Sequence, residues 1–200
     1  GNNSTFVCRA LSSSGTDTYS AIAGAVGSLK GPLHGGANAK VMEMFRYVKE
    51  NVNPKDDGSI RDYLAKLLNK EAGDLSGKIY GLGHAVYTIS DPRAVLLKKY
   101  AKHMAEIKGY AEDFQLLEKI EEMGIPMIQA KTGSEIPMCA NVDMYSGLVY
   151  RMLGIPDELF TPLFASARMV GWAAHRMEEL LTGKRIIRPA YKNVLDDLAY

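Results

Sequence analysis

The sequence is short of the features that declare a protein class outright. Its 200 residues include only two cysteines and one tryptophan. Cys8 and Cys139 stand far apart, with neither metal-ligand spacing nor a redox-pair motif. They predict reduced structural thiols, no metal site and a cytoplasmic setting. No apolar run approaches the roughly 20 residues of a bilayer-spanning helix, and the start is not signal-like, so no membrane partner is expected. Lys and Arg number 24 against 23 Asp and Glu, a formal net charge of +1. That balance leaves no excess of positive charge to hold a phosphate backbone, which argues against nucleic acid as a partner. No stretch alternates polar and apolar residues long enough for a strand, and no internal repeat is present. Any anion site has to be built locally.

What the sequence does have is helical period. Tyr19, Ile22, Ala23 and Val26 follow Asp17 and end at Gly31-Pro32, with small residues that imply a neighbouring helix at short range. Val41, Met44, Phe45 and Val48 give the next stripe, ended by Asn51 to Pro54. Ile60, Leu64, Leu67 and Leu68 form another behind a cap expected at Ser59, with a stop at Gly73. Val95, Leu96, Tyr100, Met104 and Ile107 run to Gly109, and Phe114, Leu117 and Ile120 to Gly124; residues 129–140 read as loop. Leu148, Val149 and Met152 lead to Gly154, and Thr161-Pro162 opens a long helix through Phe164 and Trp172 to near Gly183. The fold class predicted is all-α.

Chemistry concentrates at breaks between helices. His84 lies in Tyr80-Gly81-Leu82-Gly83-His84-Ala85-Val86, ahead of a helix opening Asp91-Pro92-Arg93. Asp91 suits the cap and Pro92 the first turn, so a loop imidazole and the Arg93 guanidinium can converge on a small anion. A glycine-flanked histidine is also compatible with a satisfied turn residue. His34 is framed in the same way, in Leu33-His34-Gly35-Gly36. Asp143, in the first turn after Asn141, is placed where free backbone N–H groups favour an ionised carboxylate able to act as a base, although acidic residues there are also ordinary helix starts. With Arg168 and Arg188 the set suggests proton abstraction beside a carbonyl: histidines donate to an oxygen that becomes negative, and arginines hold a polycarboxylate. His103, among lysines in mid-helix, reads as a surface residue, and His175, after Trp172, as packed or structural.

Four motifs occur in order: Gly31 to Asn38 (GPLHGGAN), Gly81 to Val86 with Asp91-Pro92-Arg93, Asn141-Val142-Asp143 with Tyr145-Ser146-Gly147, and Ala167-Arg168 with Gly171-Trp172. With them, and with Arg188-Pro189, the sequence resembles the citrate synthase family over nearly its whole length, its bacterial members most. The resemblance implies a homodimeric helical enzyme that condenses acetyl-CoA with oxaloacetate to citrate, acetyl-CoA being a co-substrate and no cofactor being needed. It implies Asp143 as the base at the acetyl methyl, His34 as the donor to the thioester oxygen, and His84 as the group that polarises the oxaloacetate carbonyl. Arg93 and Arg168 would bind its carboxylates, and Arg188 would reach the partner subunit's site. It further implies a small domain over residues 36–154, with 1–35 and 155–200 belonging to a large domain. The family's further oxaloacetate-binding histidine falls before Asn3, so the resemblance implies a C-terminal part with little activity alone. Thr88 stands where many members carry a basic residue. The alternatives are 2-methylcitrate synthase, which would use the same residues, and a non-catalytic helical module for oligomerisation or ligand binding.

Overall fold

The computed structural model describes residues 2–190. Its elements are α1 (Asn3–Ser13), α2 (Thr18–Lys30), α3 (Ala37–Asn51), α4 (Asp57–Leu68), α5 (Pro92–Lys108), α6 (Ala111–Thr132), α7 (Asp143–Met152), a 3-10 turn over Asp157–Leu159, and α8 (Phe160–Thr182). Among the described residues there is no strand, only an isolated antiparallel bridge between Leu82 and Ala140. The all-α class holds. No described helix is long and apolar enough to cross a membrane. The described residues divide into two compact units, one from residues 2–34 and 164–190, the other from Gly35–Leu163.

The first unit packs α1 on α2 around Cys8, Ala21, Ala25, Leu29 and Trp172. Small residues bring the two helices close: a Cβ on Gly24 would run into Leu11 Cδ1. α1 escapes the apolar-periodicity reading because its buried face is largely polar. Ser4, Thr5 and Ser12 are buried there, and the Ser12 hydroxyl returns a hydrogen bond of 2.7 Å to the Cys8 carbonyl. Among the described residues Arg176 on α8, which is buried, has no carboxylate partner; its donors reach Thr18 Oγ1 (3.1 Å), Ser12 Oγ (3.1 Å) and the Thr16 carbonyl (2.7 Å), closing the α1–α2 turn.

The second unit is built around α7, whose Met144, Tyr145, Leu148, Val149 and Met152 are all buried and which packs on α3 and α5. Three expectations are corrected here. The cap of α4 is Asp56, whose carboxylate accepts from Gly58 N–H, while Ser59 lies inside the helix and accepts from Asn53 N–H. α6 does not stop at Gly124: it runs through Pro126 to Thr132 and ends on left-handed Gly133, so the loop is confined to the residues after it. Gly124 serves close packing, since a Cβ there would come within 2.7 Å of Leu82 Cδ1, and α6 continues through Pro126 although an interior proline forfeits one backbone hydrogen bond and crowds the carbonyl four residues before it. On α5, Val95, Leu96, Tyr100 and Ile107 face outward, and the buried face is Ala94, Ala101 and Ala105. Alanines carry little apolar signal but let helices approach closely.

Candidate active site

In the second unit two backbone segments paired side by side bring His84, Arg93 and Asp143 into one neighbourhood. The Leu82–Ala140 bridge ties the histidine loop to the strand of loop entering α7: Gly83 N–H donates to Cys139 O at 2.8 Å and Asn141 N–H to Gly81 O at 2.9 Å. Gly81 and Gly83 lie at φ +87° and +84°, in the left-handed region that suits glycine. The bend they make turns His84 out to an exposed position.

His84 is oriented by its own turn. Val86 N–H and Tyr87 N–H both donate to Nδ1, at 3.0 and 3.1 Å. Nδ1 therefore carries no proton in this arrangement, and Nε2 is the nitrogen that bears one. Arg93 Nη2 lies 3.4 Å from that Nε2. Two donors face each other there, and neither can accept from the other, so an oxygen acceptor placed between them satisfies both. The Tyr87 ring packs against the imidazole (centroids 4.9 Å apart) and under the guanidinium (5.4 Å).

Arg93 sits at the start of α5, as its sequence pattern predicts, with Asp91 as cap and Pro92 next. Asp91 does more than cap. Its buried carboxylate accepts from Arg93 N–H (3.0 Å), Nε (3.0 Å) and Nη2 (2.8 Å), which fixes the guanidinium and holds the Asp91 pKa below the usual carboxylate range despite burial. The two-pronged bond foreseen for a ligand carboxylate is already made to Asp91 on one edge of Arg93, leaving Nη1 and the outer side of Nη2 for a ligand.

Asp143 opens α7, with its backbone N–H bonded to Asn141 Oδ1 at 3.0 Å. Among the described residues its carboxylate has neither a hydrogen-bond partner nor an ion pair. Burial pushes its pKa up to about 6, with the Arg93 charge opposing and the Asp91 charge adding to the rise. The helix start was expected to hold this carboxylate low; desolvation outweighs it. A base tuned this way is still largely ionised at pH 7 and is a better proton acceptor than an ordinary aspartate.

His34 belongs to the first unit. Its Nε2 accepts from Ser4 N–H at 3.2 Å and lies 2.9 Å from Ser4 Oγ, so the ring proton resides on Nδ1. Burial, then the positive charge of Arg168, lowers its pKa from the ordinary histidine value. That keeps it an uncharged donor at neutral pH. The half-buried Arg168 stacks over Phe164, 5.0 Å from Cζ to the ring centroid. Arg188 lies exposed in the segment after α8. His103 is exposed, as expected; His175 is exposed too and not packed, its Nδ1 lying 3.3 Å from Arg9 Nη1 beside Glu178. Among the described residues no group of three or more His, Cys, Asp or Glu side chains could hold a metal ion. Sequence reasoning gave Asp91 and Asn141 capping roles only. The signal for more was an aspartate two positions before an arginine, and an asparagine where serine would have capped equally well.

The family model for the citrate synthase C-terminal domain matches residues 1–190. A citrate synthase of Synechocystis sp. is 42% identical over 189 residues, covering 94% of this chain and 43% of that protein. A 2-methylcitrate synthase of Shewanella oneidensis is 37% identical over 190 residues, covering 94% and 45%. Among solved structures, citrate synthase from Thermotoga maritima superposes with a TM-score of 0.76 at 38% identity, covering the whole chain and 50% of its own. The ternary complex of carboxymethyl coenzyme A and oxaloacetate with citrate synthase from Thermoplasma acidophilum gives 0.76 at 30% identity with the same coverage. The chain spans less than half the length of these curated relatives and half that of these solved chains.

Proposed function

The chain belongs to the citrate synthase family, and from that premise we propose that it carries the catalytic residues for condensing acetyl-CoA with oxaloacetate to citrate and CoA. Asp143 takes a proton from the acetyl methyl while the Nδ1–H of His34 donates to the thioester oxygen, so that an enol forms. The enol carbon attacks the oxaloacetate carbonyl carbon. His84 Nε2–H and Arg93 Nη2–H meet on the ligand side of their loop, His84 on the keto oxygen, which takes the proton as it becomes a hydroxyl, and Arg93 on a carboxylate. Arg168 holds a further carboxylate. Arg188 serves the site of the partner subunit in a homodimer. Water then cleaves the citryl thioester and releases CoA.

In this reading residues 36–154 form the small domain, with 1–35 and 155–200 in the large one, and the enzyme is cytoplasmic, in keeping with two free cysteines. The observation that carries the reading is the unpartnered Asp143 carboxylate with its pKa near 6, close enough to Arg93 to feel its charge. A weakly acidic thioester methyl needs such a desolvated base, worth about 10²–10⁴ in rate. The likeness to a 2-methylcitrate synthase supports propionyl-CoA as the second acyl donor; one methylene discriminates by only about 1–3 kcal/mol.

The test is calorimetric titration of the chain with oxaloacetate. Saturable heat is expected, lost in Arg93→Ala and kept in Asp143→Ala. Binding that vanishes equally in Asp143→Ala removes its assignment as the base, and no heat in the parent removes the reading.

A further inference from the structure

Asn141 bonds at once to the loop that bears His84 and to the helix start that bears Asp143. Its Nδ2 donates to the Gly83 carbonyl at 2.9 Å, and its Oδ1 accepts from Asp143 N–H at 3.0 Å. The second bond closes an Asx turn onto the first residue of α7, for which a serine or aspartate would serve as well. The first is surplus to the helix. It grips the peptide immediately before His84, in a loop whose two positive-φ glycines, Gly81 and Gly83, leave the backbone intrinsically free. The flanking bridge bonds from Gly83 N–H and Asn141 N–H restrain the same stretch on its other side.

We propose that Asn141 is a positioning residue that sets the tautomer of His84 and the placement of Asp143 together: its amide N–H₂ fixes the Gly83 peptide so that His84 Nδ1 stays under Val86 and Tyr87 N–H, while its amide oxygen holds the first turn of α7. The chemical purpose of this coupling rests on the proposed function. The geometry does not, and the readout is spectroscopic, so each can fail without the other.

The experiment is 15N NMR of the histidine rings in the whole chain. In the parent, His84 is expected to give well-separated signals for an unprotonated Nδ1 and a protonated Nε2. Asn141→Asp keeps the acceptor for Asp143 N–H but replaces the donor to Gly83 O with a repelling oxygen, and the two ring signals should move toward a common, averaged value. Asn141→Ser, whose hydroxyl closes the same turn onto Asp143 N–H but is too short to reach Gly83, should do the same and carries the test should the added carboxylate unfold the chain. His34, held by Ser4 in the other unit, should keep its own signals in both variants, which separates local release from general loosening. A His84 that retains a single Nε2–H tautomer in folded Asn141→Asp or Asn141→Ser overturns the proposal, as does a parent with the proton on Nδ1. Absence of oxaloacetate binding would count against the proposed function and leave the clamp standing.

Discussion

The two glycine-framed histidines are held by opposite means. His84 has Nδ1 satisfied by backbone N–H groups two and three residues further along, a closed local turn. His34 has Nε2 satisfied by Ser4, thirty residues earlier on α1. The nitrogen left to donate is therefore Nε2 in one and Nδ1 in the other. Their charged neighbours differ as well. Arg93 beside His84 is balanced by Asp91, whereas Arg168 acts on His34 with enough positive charge to depress its pKa further. A neutral donor can be secured by turn geometry alone or by packing plus charge, and only the second kind should respond to changes elsewhere in its unit.

The largest expected effect lies on the His84 side, at Asp143. Its folded pKa of about 6 exceeds the ordinary 3.8. Below pH 3.8 the group costs the fold nothing; the cost grows between pH 3.8 and 6 and is complete above 6. A shift of that size corresponds to about 3 kcal/mol. Asp143→Asn should therefore stabilise the chain by up to about 3 kcal/mol at pH 8 and by almost nothing at pH 3.5, read from denaturant midpoints at the two pH values. Equal stabilisation at both would mean that the carboxylate is not the strained group.

A somewhat smaller effect is expected where α7 meets α3. A Cβ on Gly147 would strike Met42 Cγ and Sδ and come within 2.9 Å of Asn38 Oδ1, and Asn38 Nδ2 donates to the neighbouring Ser146 hydroxyl. Met42 is buried, so it has little room to yield. Gly147→Ala should cost about 1–3 kcal/mol through overpacking, measured by thermal melting. Because α7 also carries Asp143, the variant should perturb the Asp143 titration while leaving that of His34 unchanged.

Much of this was legible in the sequence. Asp17, Asp91 and Gly109 announced helix ends by ordinary capping chemistry, and the His-Gly-Gly and Gly-His patterns marked the breaks where side chains gather. What stayed hidden has physical causes. α1 buries serine and threonine, so its face has no apolar stripe. α6 uses Gly124 for contact, so a stop signal pointed to the wrong place. The larger apolar residues of α5, Val95, Leu96, Tyr100 and Ile107, face outward among lysines, and its fully buried positions are alanines, which carry little apolar signal but allow close approach. The pKa of Asp143 could not be read at all: the helix start and burial push in opposite directions, and only the fold decides between them.

The smallest expected effect belongs to His34 and has the opposite sign to that of Asp143. Its folded pKa lies below the ordinary 6.5, so the unfolded chain binds the proton more readily and stability falls as pH drops through 6.5. Over the same range the fold gains stability as Asp143 protonates. In the parent the two slopes oppose and partly cancel between pH 6.5 and 4, which would make either one hard to see alone. Asp143→Asn removes the gain and should expose a net loss of stability on acidification; adding His34→Gln should flatten much of that loss. Melting temperatures of the parent, the single and the double variant at pH 7.5 and 5 give the measurement. A double variant as acid-sensitive as Asp143→Asn would place the acid sensitivity outside His34 and leave packing, without its charge, as what distinguishes this histidine from His84.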